Sequence, residues 1–183
     1  MDENKIIAFV GMPGAGKSEA AAYLQEKSIP FVRFGSLTDE GLKELGLEIN
    51  PENEKMLREK YRDELGMAAY AIKAKPKIEE LLKKSKIIGI DGLYSWEEYT
   101  YLKDVFPNLV LVHIFASPEV RYSRLEKRPV RPIPFGVSRE RDFSEIERLN
   151  KGGPIAIADY LIKNEGDMDE MNIEIDKMLD IYK

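Results

Sequence analysis

The sequence predicts an α/β protein in which helices cover both faces of a five-stranded parallel sheet. Three observations lead to this fold class. Apolar runs of strand length alternate with longer helical patterns along the 183 residues. The run LVLVHIF at 109–115 is apolar at nearly every position, as expected for a parallel strand buried on both faces. The first apolar run leads directly into a glycine-rich loop and then a helix.

Strands are predicted where β-branched and aromatic residues form short apolar runs bounded by turn signals. The runs occupy residues 6–10, 29–34, 86–90, 108–115 and 159–162. Each is separated from the next by a segment that can form a helix. Such crossovers between parallel strands are right-handed, so the order of elements favours one continuous parallel sheet.

Helices are predicted from apolar spacing and from their end signals. They occupy about 17–26, 37–45, 95–105, 118–127, 139–151 and a final segment ending near 182. Ser117 and Pro118 supply an N-cap and a first-turn proline. The polar stretch 51–85 is predicted to be helical with a break before Pro76. Residues 128–138 contain three prolines and a glycine, which predicts a flap-like loop.

Residues 11–18, GMPGAGKS, match the P-loop pattern G-x-x-x-x-G-K-[ST] at every fixed position. In such a loop, backbone N–H groups surround a β-phosphate, and side chains at Gly11, Gly14 and Gly16 would obstruct that contact. Lys17 is expected to reach the β- and γ-oxygens at the positive end of the following helix, and Ser18 to ligate Mg²⁺. The predicted ATP-binding segment consists of Gly11, Met12, Pro13, Gly14, Ala15, Gly16, Lys17, Ser18 and Glu19.

Composition limits the classes of protein that the chain can be. Charged residues make up 33% and aromatic residues 9%, which is typical of a globular protein without a membrane span. The start MDENK does not resemble a secretory signal, and the chain has no cysteine, so we expect a cytoplasmic protein. The net charge of −5 argues against a nucleic-acid partner.

Asp91 follows the predicted third strand, IIGI, at the edge of the sheet where ligands bind. A carboxylate at this point can hold Mg²⁺ opposite Ser18, as a Walker B aspartate does. The alternative is that Asp91 only begins a turn with Gly92. We predict that Asp91 and Ser18 form the metal site.

Seven arginines lie between 121 and 148. Arg121, Arg124 and Arg128 have the spacing of one helix face, and four more follow them. Guanidinium groups suit the charge that develops on a transferring phosphoryl group, so this region is predicted to be a closing lid. The alternative for any single arginine is a solvated ion pair with a neighbouring glutamate.

Three other sets of residues could have either a functional or a structural role. His113 lies in an apolar strand and is predicted to be structural. Tyr94 and Trp96 could line an acceptor pocket or simply pack there. Arg58 and Arg62, one helical turn apart, could reach an acceptor anion or lie on the surface.

The chain resembles nucleoside-monophosphate kinase-like P-loop proteins. Asp91-Gly92-Leu93 resembles the D-G-F/I step of adenylate kinases, and Arg124-Leu125-x-x-Arg128 resembles their R-[IL]-x-x-R entry to the lid. Over nearly its whole length, and above all in RERDFSEIERLNKGGPIAIADYLIKNEG, it also resembles an uncharacterised archaeal family related to dephospho-CoA kinases. The resemblance implies a three-layer αβα sandwich, the P-loop kinase fold, with strand order 2-3-1-4-5.

The same resemblance implies an organisation and an activity. It implies one domain over 1–183, with an acceptor-side helical insertion at about 36–85 and a lid at about 121–150. It implies phosphorylation of a small nucleotide-like acceptor by ATP with Mg²⁺. Arg124 would lie near the adenine, and Arg128, Arg139 and Arg141 near the phosphates. Together with Lys17 and Asp91, these last three arginines form the predicted catalytic set.

The acceptor end departs from the pattern of these kinases. After the second strand they carry G-D-x-x-R, whereas this chain has Gly35-Ser36-Leu37-Thr38-Asp39. A hydroxyl acceptor needs a carboxylate to take its proton, and a phosphate acceptor needs arginines to hold it. Both acceptor types therefore stay open. The alternative to a kinase is a nucleotide-binding module or slow ATPase switch with a degenerate acceptor site.

Overall fold

The computed structural model describes residues 4–129 and 131–182. Its five strands in these residues form a single parallel sheet with the order β2-β3-β1-β4-β5. The strands are β1 (Lys5–Val10), β2 (Phe31–Arg33), β3 (Ile87–Asp91), β4 (Leu109–Phe115) and β5 (Tyr160–Lys163). The predicted fold class and strand order are confirmed.

Helices connect the strands and cover both faces of the sheet. Their bounds are α1 (Lys17–Glu26), α2 (Phe34–Glu44), α3 (Pro51–Leu65), α4 (Ala69–Leu82), α5 (Trp96–Val105), α6 (Pro118–Lys127), α7 (Phe135–Leu149), α8 (Gly152–Ala156) and α9 (Met168–Tyr182). None of the helices in the described residues has the length and apolar character needed to cross a membrane.

The central strand β1 divides the core into two halves. Ile6, Ala8 and Val10 face a cluster with helices α2 to α5. Ile7 and Phe9 face a second cluster formed with α1 and α9. Alternate residues of a strand point to opposite faces, so an apolar run without polar interruption is what a strand buried on both faces requires. This arrangement fixes the carboxyl end of β1, where the P-loop begins.

The structure corrects several predicted boundaries: β2 covers Phe31–Arg33, α2 already begins at Phe34, and α8 was not predicted. The long helical segment breaks at Gly66, whose φ of +72° ends α3, and Pro76 lies inside α4. Proline loses only one backbone hydrogen bond there, and the apolar face of α4, with the buried residues Ala74 and Ile78, keeps the helix packed. Helix α7 begins at Phe135, earlier than predicted, which shortens the loop that follows α6.

Candidate active site

The loop between β1 and α1 has the backbone shape of a phosphate-binding cradle. Gly11, Gly14 and Gly16 have φ values of +146°, +78° and +103°, which side-chain-bearing residues rarely adopt. A Cβ on Gly11 would collide with the carbonyl of Ile114, and one on Gly16 with the amide of Asn164. The glycines are therefore needed first for backbone conformation and for close packing against β4 and the segment after β5. This differs from the predicted reason, which was obstruction of the ligand itself.

Lys17 is buried at the base of this cradle. Its Nζ donates to the carbonyl oxygen of Met12 at 3.1 Å. Burial lowers the pKa of Lys17 to about 7, and the charge of Lys151 adds to this, whereas Glu145 and Asp91 act in the opposite direction. A phosphate beside the amine would supply the negative charge that it lacks. An anionic ligand would therefore stabilise the charged form of Lys17.

A pocket of about 570 Å³, called the donor pocket below, opens above the cradle. It contains nine of the predicted site residues: Pro13, Gly14, Gly16, Lys17, Ser18, Glu19, Arg124, Arg128 and Arg141. Gly11, Met12 and Ala15 do not line it. Met12 and Ala15 support the cradle from behind, because their carbonyl oxygens accept hydrogen bonds from Lys17 and Asn164.

One wall of the donor pocket comes from the segment after β5, which the sequence indicated only as a turn. Arg124 Nη1 donates to the carbonyl oxygen of Asn164 at 2.9 Å, and Nη2 to that of Gly166 at 3.2 Å. The Asn164 amide in turn donates to the Ala15 carbonyl at 2.8 Å. Asn164, Gly166 and Asp167 all line the pocket. These residues directly follow β5, which pairs with β4, at the edge of the sheet where the P-loop lies. That position was the signal that could have identified them.

Not every arginine of the predicted lid points into the pocket. Arg121 is buried and forms a two-pronged ion pair with Asp142, at 3.0 and 2.6 Å, while also donating to the Pro13 carbonyl. It therefore joins the P-loop to α7. Arg139 is exposed, with its guanidinium 5.4 Å from the centre of the Phe143 ring, and it lines neither pocket described here. The predicted position of Arg139 near phosphates is not the one observed.

Asp91 ends β3 as predicted and is nearly fully buried. Its Oδ2 accepts a hydrogen bond from Arg33 Nε at 3.2 Å. Arg33 lies at the end of the neighbouring strand β2, and sequence reasoning gave it no role. Asp91 does not itself line the donor pocket, but its charge acts on Lys17. Its position at the carboxyl end of the strand beside β1 leaves the metal role as a prediction.

A second pocket of about 690 Å³, called the acceptor pocket below, adjoins the first. Arg58 and Arg62 line it, which favours the binding interpretation of this pair over a purely surface one. Its charged lining comprises the cations Arg33, Arg58, Arg62, Arg131 and Arg141 and the acids Asp39, Glu54, Glu98 and Glu145.

The acids of the acceptor pocket are largely engaged. Glu54 holds both Arg58, at 3.2 Å, and Arg131, at 3.0 Å. Glu98 is buried and accepts the backbone N–H groups of Tyr94 and Ser95, at 2.7 and 3.0 Å. Burial raises the pKa of Glu98 to about 7 despite these hydrogen bonds, so it is partly protonated at neutral pH. Five arginines thus share the pocket with four acids, of which Glu98 is partly protonated, and Arg33 is paired with Asp91 beside the pocket.

The two pockets meet at Tyr94, Arg141 and Glu145, which line both. Arg141 Nε donates to Glu145 Oε1 at 3.1 Å, and Lys151 Nζ contacts Glu145 Oε2. Lys151 is buried and lies 4.5 Å from the centre of the Tyr94 ring. Sequence reasoning missed Glu145 and Lys151, because a glutamate and a lysine near the end of a polar helix look like surface residues.

The remaining aromatic and imidazole candidates have packing roles. His113 is half-buried in β4 and packs edge-on against Phe115, and burial lowers its pKa. Trp96 packs against Tyr99, and its ring lies so close to Gly153 that a Cβ there would require a shift. These contacts agree with the structural interpretation of His113.

The fold and the cradle define a P-loop protein of the kinase-like class. A family model described as an AAA domain matches residues 7–150. The chain is 35% identical over 179 residues to a UPF0200 protein of Thermococcus kodakarensis, covering 96% of each. A UPF0200 protein of Methanocaldococcus jannaschii is also 35% identical, over 176 residues. The chain therefore belongs both to this AAA-domain family and to the UPF0200 proteins.

Solved structures show the same fold at low identity. TT1252 from Thermus thermophilus superposes with a TM-score of 0.65 at 16% identity, covering 99% of each chain. Shikimate kinase from Bacteroides thetaiotaomicron has a TM-score of 0.59 at 13% identity, covering 97% of each chain. A gluconokinase from Sinorhizobium meliloti has a TM-score of 0.55 at 16% identity, covering 98% of this chain and 95% of its own. These likenesses show a fold that small-molecule kinases share.

Proposed function

We propose that the protein transfers the γ-phosphoryl group of ATP, with Mg²⁺, to a small anionic acceptor of nucleotide-like size. The observation that carries this proposal is the pair of adjoining pockets. One contains the P-loop cradle and Lys17, and the other is lined by five arginines. A switch that only binds or hydrolyses a nucleotide has no need of a second basic pocket beside the first.

In this proposal the donor pocket holds ATP. Lys17, Arg128 and Arg141 would contact the phosphates, since all three line the pocket and bound phosphate would stabilise the protonated form of Lys17. Arg124, fixed by the segment after β5, would lie beside the base. The resemblance to solved structures that include a gluconokinase and shikimate kinases supports the use of a nucleotide donor.

Ser18 and Asp91 are the residues that would hold Mg²⁺. The Ser18 hydroxyl is exposed at the start of α1, and the Asp91 carboxylate is held at the end of β3 by Arg33. Within the described residues no group of three or more His, Cys, Asp or Glu could hold a metal ion, so these two would share the ion with nucleotide oxygens and water. Bound there, the ion would neutralise phosphate charge.

The acceptor pocket would hold the second substrate by its negative charge. Arg58 and Arg62 come from one face of α3, and Arg131 reaches the pocket from the segment after α6. Arg58 and Arg131 share Glu54 as an ion-pair partner, and the charge of Asp39 also acts on Arg131, so an acceptor anion would add a charge-assisted contact to both arginines. Dephospho-CoA and nucleotides are anions of suitable size, and an uncharged nucleoside such as adenosine would lack this contact.

The lid would close by contacts that already exist in part. The Arg131–Glu54 ion pair connects the segment after α6 to α3, across the acceptor pocket. Arg121 joins α6, the P-loop and α7. A movement of α7 would therefore change the positions of side chains in both pockets. Closure over bound substrates would exclude water from the transfer.

The test is to mix the purified protein with Mg-ATP and, separately, with adenosine, AMP, CMP and dephospho-CoA, and to measure ADP release. We expect one acceptor to stimulate release well above the basal rate. Release that is slow and equal with every compound would support a slow ATPase instead. A second arm omits Mg²⁺ and should abolish the stimulated rate.

A further inference from the structure

The junction of the two pockets marks where the phosphoryl group would move. Tyr94, Arg141 and Glu145 line both pockets. Productive transfer requires the reacting atoms of the two substrates to lie about 3 to 3.5 Å apart. The side chains shared by both pockets are therefore the ones closest to the reacting atoms.

Of these three side chains, Glu145 alone can accept a proton at neutral pH. Burial raises the pKa of the Tyr94 phenol, so Tyr94 keeps its proton. Arg141 is a permanent cation. Burial would raise the pKa of Glu145 too, but the charges of Lys151 and Arg141 outweigh it and hold that pKa below its ordinary value. Glu145 is thus an ionised carboxylate in a fixed position.

The contacts of Glu145 leave room for a substrate proton. Oε1 accepts from Arg141, and Oε2 contacts Lys151. Each carboxylate oxygen has a further lone pair. The Glu145 side chain is 16% exposed, so it is accessible from the pockets without being freely solvated.

The other carboxylates around the pockets are less suited to this role. Among the described residues, Asp39, Glu54 and Glu98 line only the acceptor pocket, and Glu19 and Asp167 only the donor pocket. Glu54 and Glu98 are each held by two donors, as Glu145 is, so it is position that separates Glu145 from these five carboxylates. None of the five lies at the junction.

We propose that Glu145 is the general base and that the group phosphorylated on the acceptor is a hydroxyl. This inference rests on the proposed function and sharpens it. The hydroxyl proton passes to Glu145 as the acceptor oxygen bonds to the γ-phosphorus. The bond from the γ-phosphorus to the β,γ-bridging oxygen breaks, and ADP leaves with that electron pair. A phosphate acceptor is already ionised and has no proton for Glu145 to take.

The first test needs no acceptor, because water can take the place of the hydroxyl. Glu145→Gln should lower basal Mg-ATP hydrolysis by about 100-fold or more, while the Kd of a non-hydrolysable ATP analogue changes less than about threefold. The matched control is Glu147→Gln, an exposed residue of the same helix that lines neither pocket. Hydrolysis at the wild-type rate in Glu145→Gln would overturn the role of Glu145.

A second variant guards against misfolding, because Glu145→Gln leaves the buried Lys151 without its carboxylate. Glu145→Gln combined with Lys151→Met removes both charges of the pair. We expect this double variant to regain thermal stability but not hydrolysis. Wild-type hydrolysis in the folded double variant would overturn the proposal.

The product identifies the acceptor group directly. Phosphorus NMR after incubation with adenosine, dephospho-CoA, AMP or CMP distinguishes a new phosphate monoester from a new anhydride. A monoester whose formation needs Glu145 supports the inference, and an anhydride overturns it while leaving kinase activity intact. A wild-type protein that neither binds nor hydrolyses ATP contradicts the proposed function itself.

Discussion

The donor and acceptor pockets are similar in size, about 570 and 690 Å³, but the chain builds them differently. The floor of the donor pocket comes from one continuous segment, residues 11–18, whose glycines adopt positive φ values. The acceptor pocket is assembled from side chains of β2, α2, α3, the segment after β3 and the lid. A ligand held by backbone groups needs one local motif, whereas a ligand held by dispersed side chains needs the whole fold.

This difference has a functional consequence. Changes to the donor pocket should impair every reaction of the protein, whatever the acceptor. Changes to the acceptor pocket should alter the response to one substrate and leave nucleotide binding unchanged. Substitutions in each pocket test that separation.

The largest effect is expected from Lys17→Ala. Phosphoryl transfer and basal hydrolysis should both fall by roughly a thousandfold or more, because the amine acts on the phosphates. Folding should be nearly unchanged, since burial already disfavours the charged form of Lys17. Lys177→Ala, in an exposed ion pair on α9, is the control. Near-normal rates of transfer and hydrolysis in Lys17→Ala would show that the donor pocket is not required for every reaction of the protein.

Loss of the contact that Arg121 makes between the P-loop and α7 should lower the free energy of unfolding. Arg121→Met leaves Asp142 buried without its guanidinium, which should cost about 3 to 5 kcal/mol of unfolding free energy. Arg139→Met, an exposed arginine, should change it by less than about 0.5 kcal/mol. Urea unfolding measures both, and equal effects would mean that Arg121 does not anchor the donor pocket.

The acceptor pocket should respond to loss of Arg58. Arg58→Gln should raise the KM of the stimulating acceptor by about 10- to 100-fold, because it removes a charge-assisted contact. The Kd of the ATP analogue should not change. Lys55→Gln, exposed on the same helix, is the control. An equal loss of nucleotide affinity in Arg58→Gln would show that the pockets are not separate sites.

The smallest effect concerns Glu98 beneath the acceptor pocket. Its folded-state pKa of about 7 lies above the ordinary 4.5, so the folded state binds more protons between these values. The contribution of Glu98 to stability is therefore greatest below pH 4.5 and is lost as pH rises to about 7. Glu98→Gln should lack this loss, gaining about 1 to 2 kcal/mol on wild type between pH 5 and pH 8. The measurement is urea unfolding of both proteins across this pH range. Parallel profiles of unfolding free energy for wild type and Glu98→Gln would contradict the prediction.

The sequence predicted the sheet and the cradle because local signals specify them. The apolar runs at 6–10 and 109–115 predicted β1 and β4, and GMPGAGKS predicted the positive-φ loop. Arg124, Arg128 and Arg141 do line the donor pocket. Spacing could not separate Arg121 and Arg139 from these three arginines. The burial of Arg121 depends on its contacts with Asp142 and the P-loop, and Arg139 is exposed on α7.

The acceptor side was less predictable for a physical reason. Arg33 lines the acceptor pocket from β2, and Glu145 lines it from α7. Lys151, which contacts Glu145, lines the donor pocket, and the three residues carry no shared spacing. Lys151 becomes buried only because Glu145 and the Tyr94 ring cover it. The break of the long helix at Gly66 and not at Pro76 likewise depends on tertiary packing, which offsets the hydrogen bond that proline removes.

Isothermal titration calorimetry with a non-hydrolysable ATP analogue and Mg²⁺ measures whether the P-loop cradle binds a nucleotide. We expect one nucleotide bound per chain, with binding that weakens strongly in Lys17→Ala and is unaffected in Arg58→Gln. No uptake by the wild-type protein, or equal affinity in Lys17→Ala, would contradict the assignment of the cradle as the donor site.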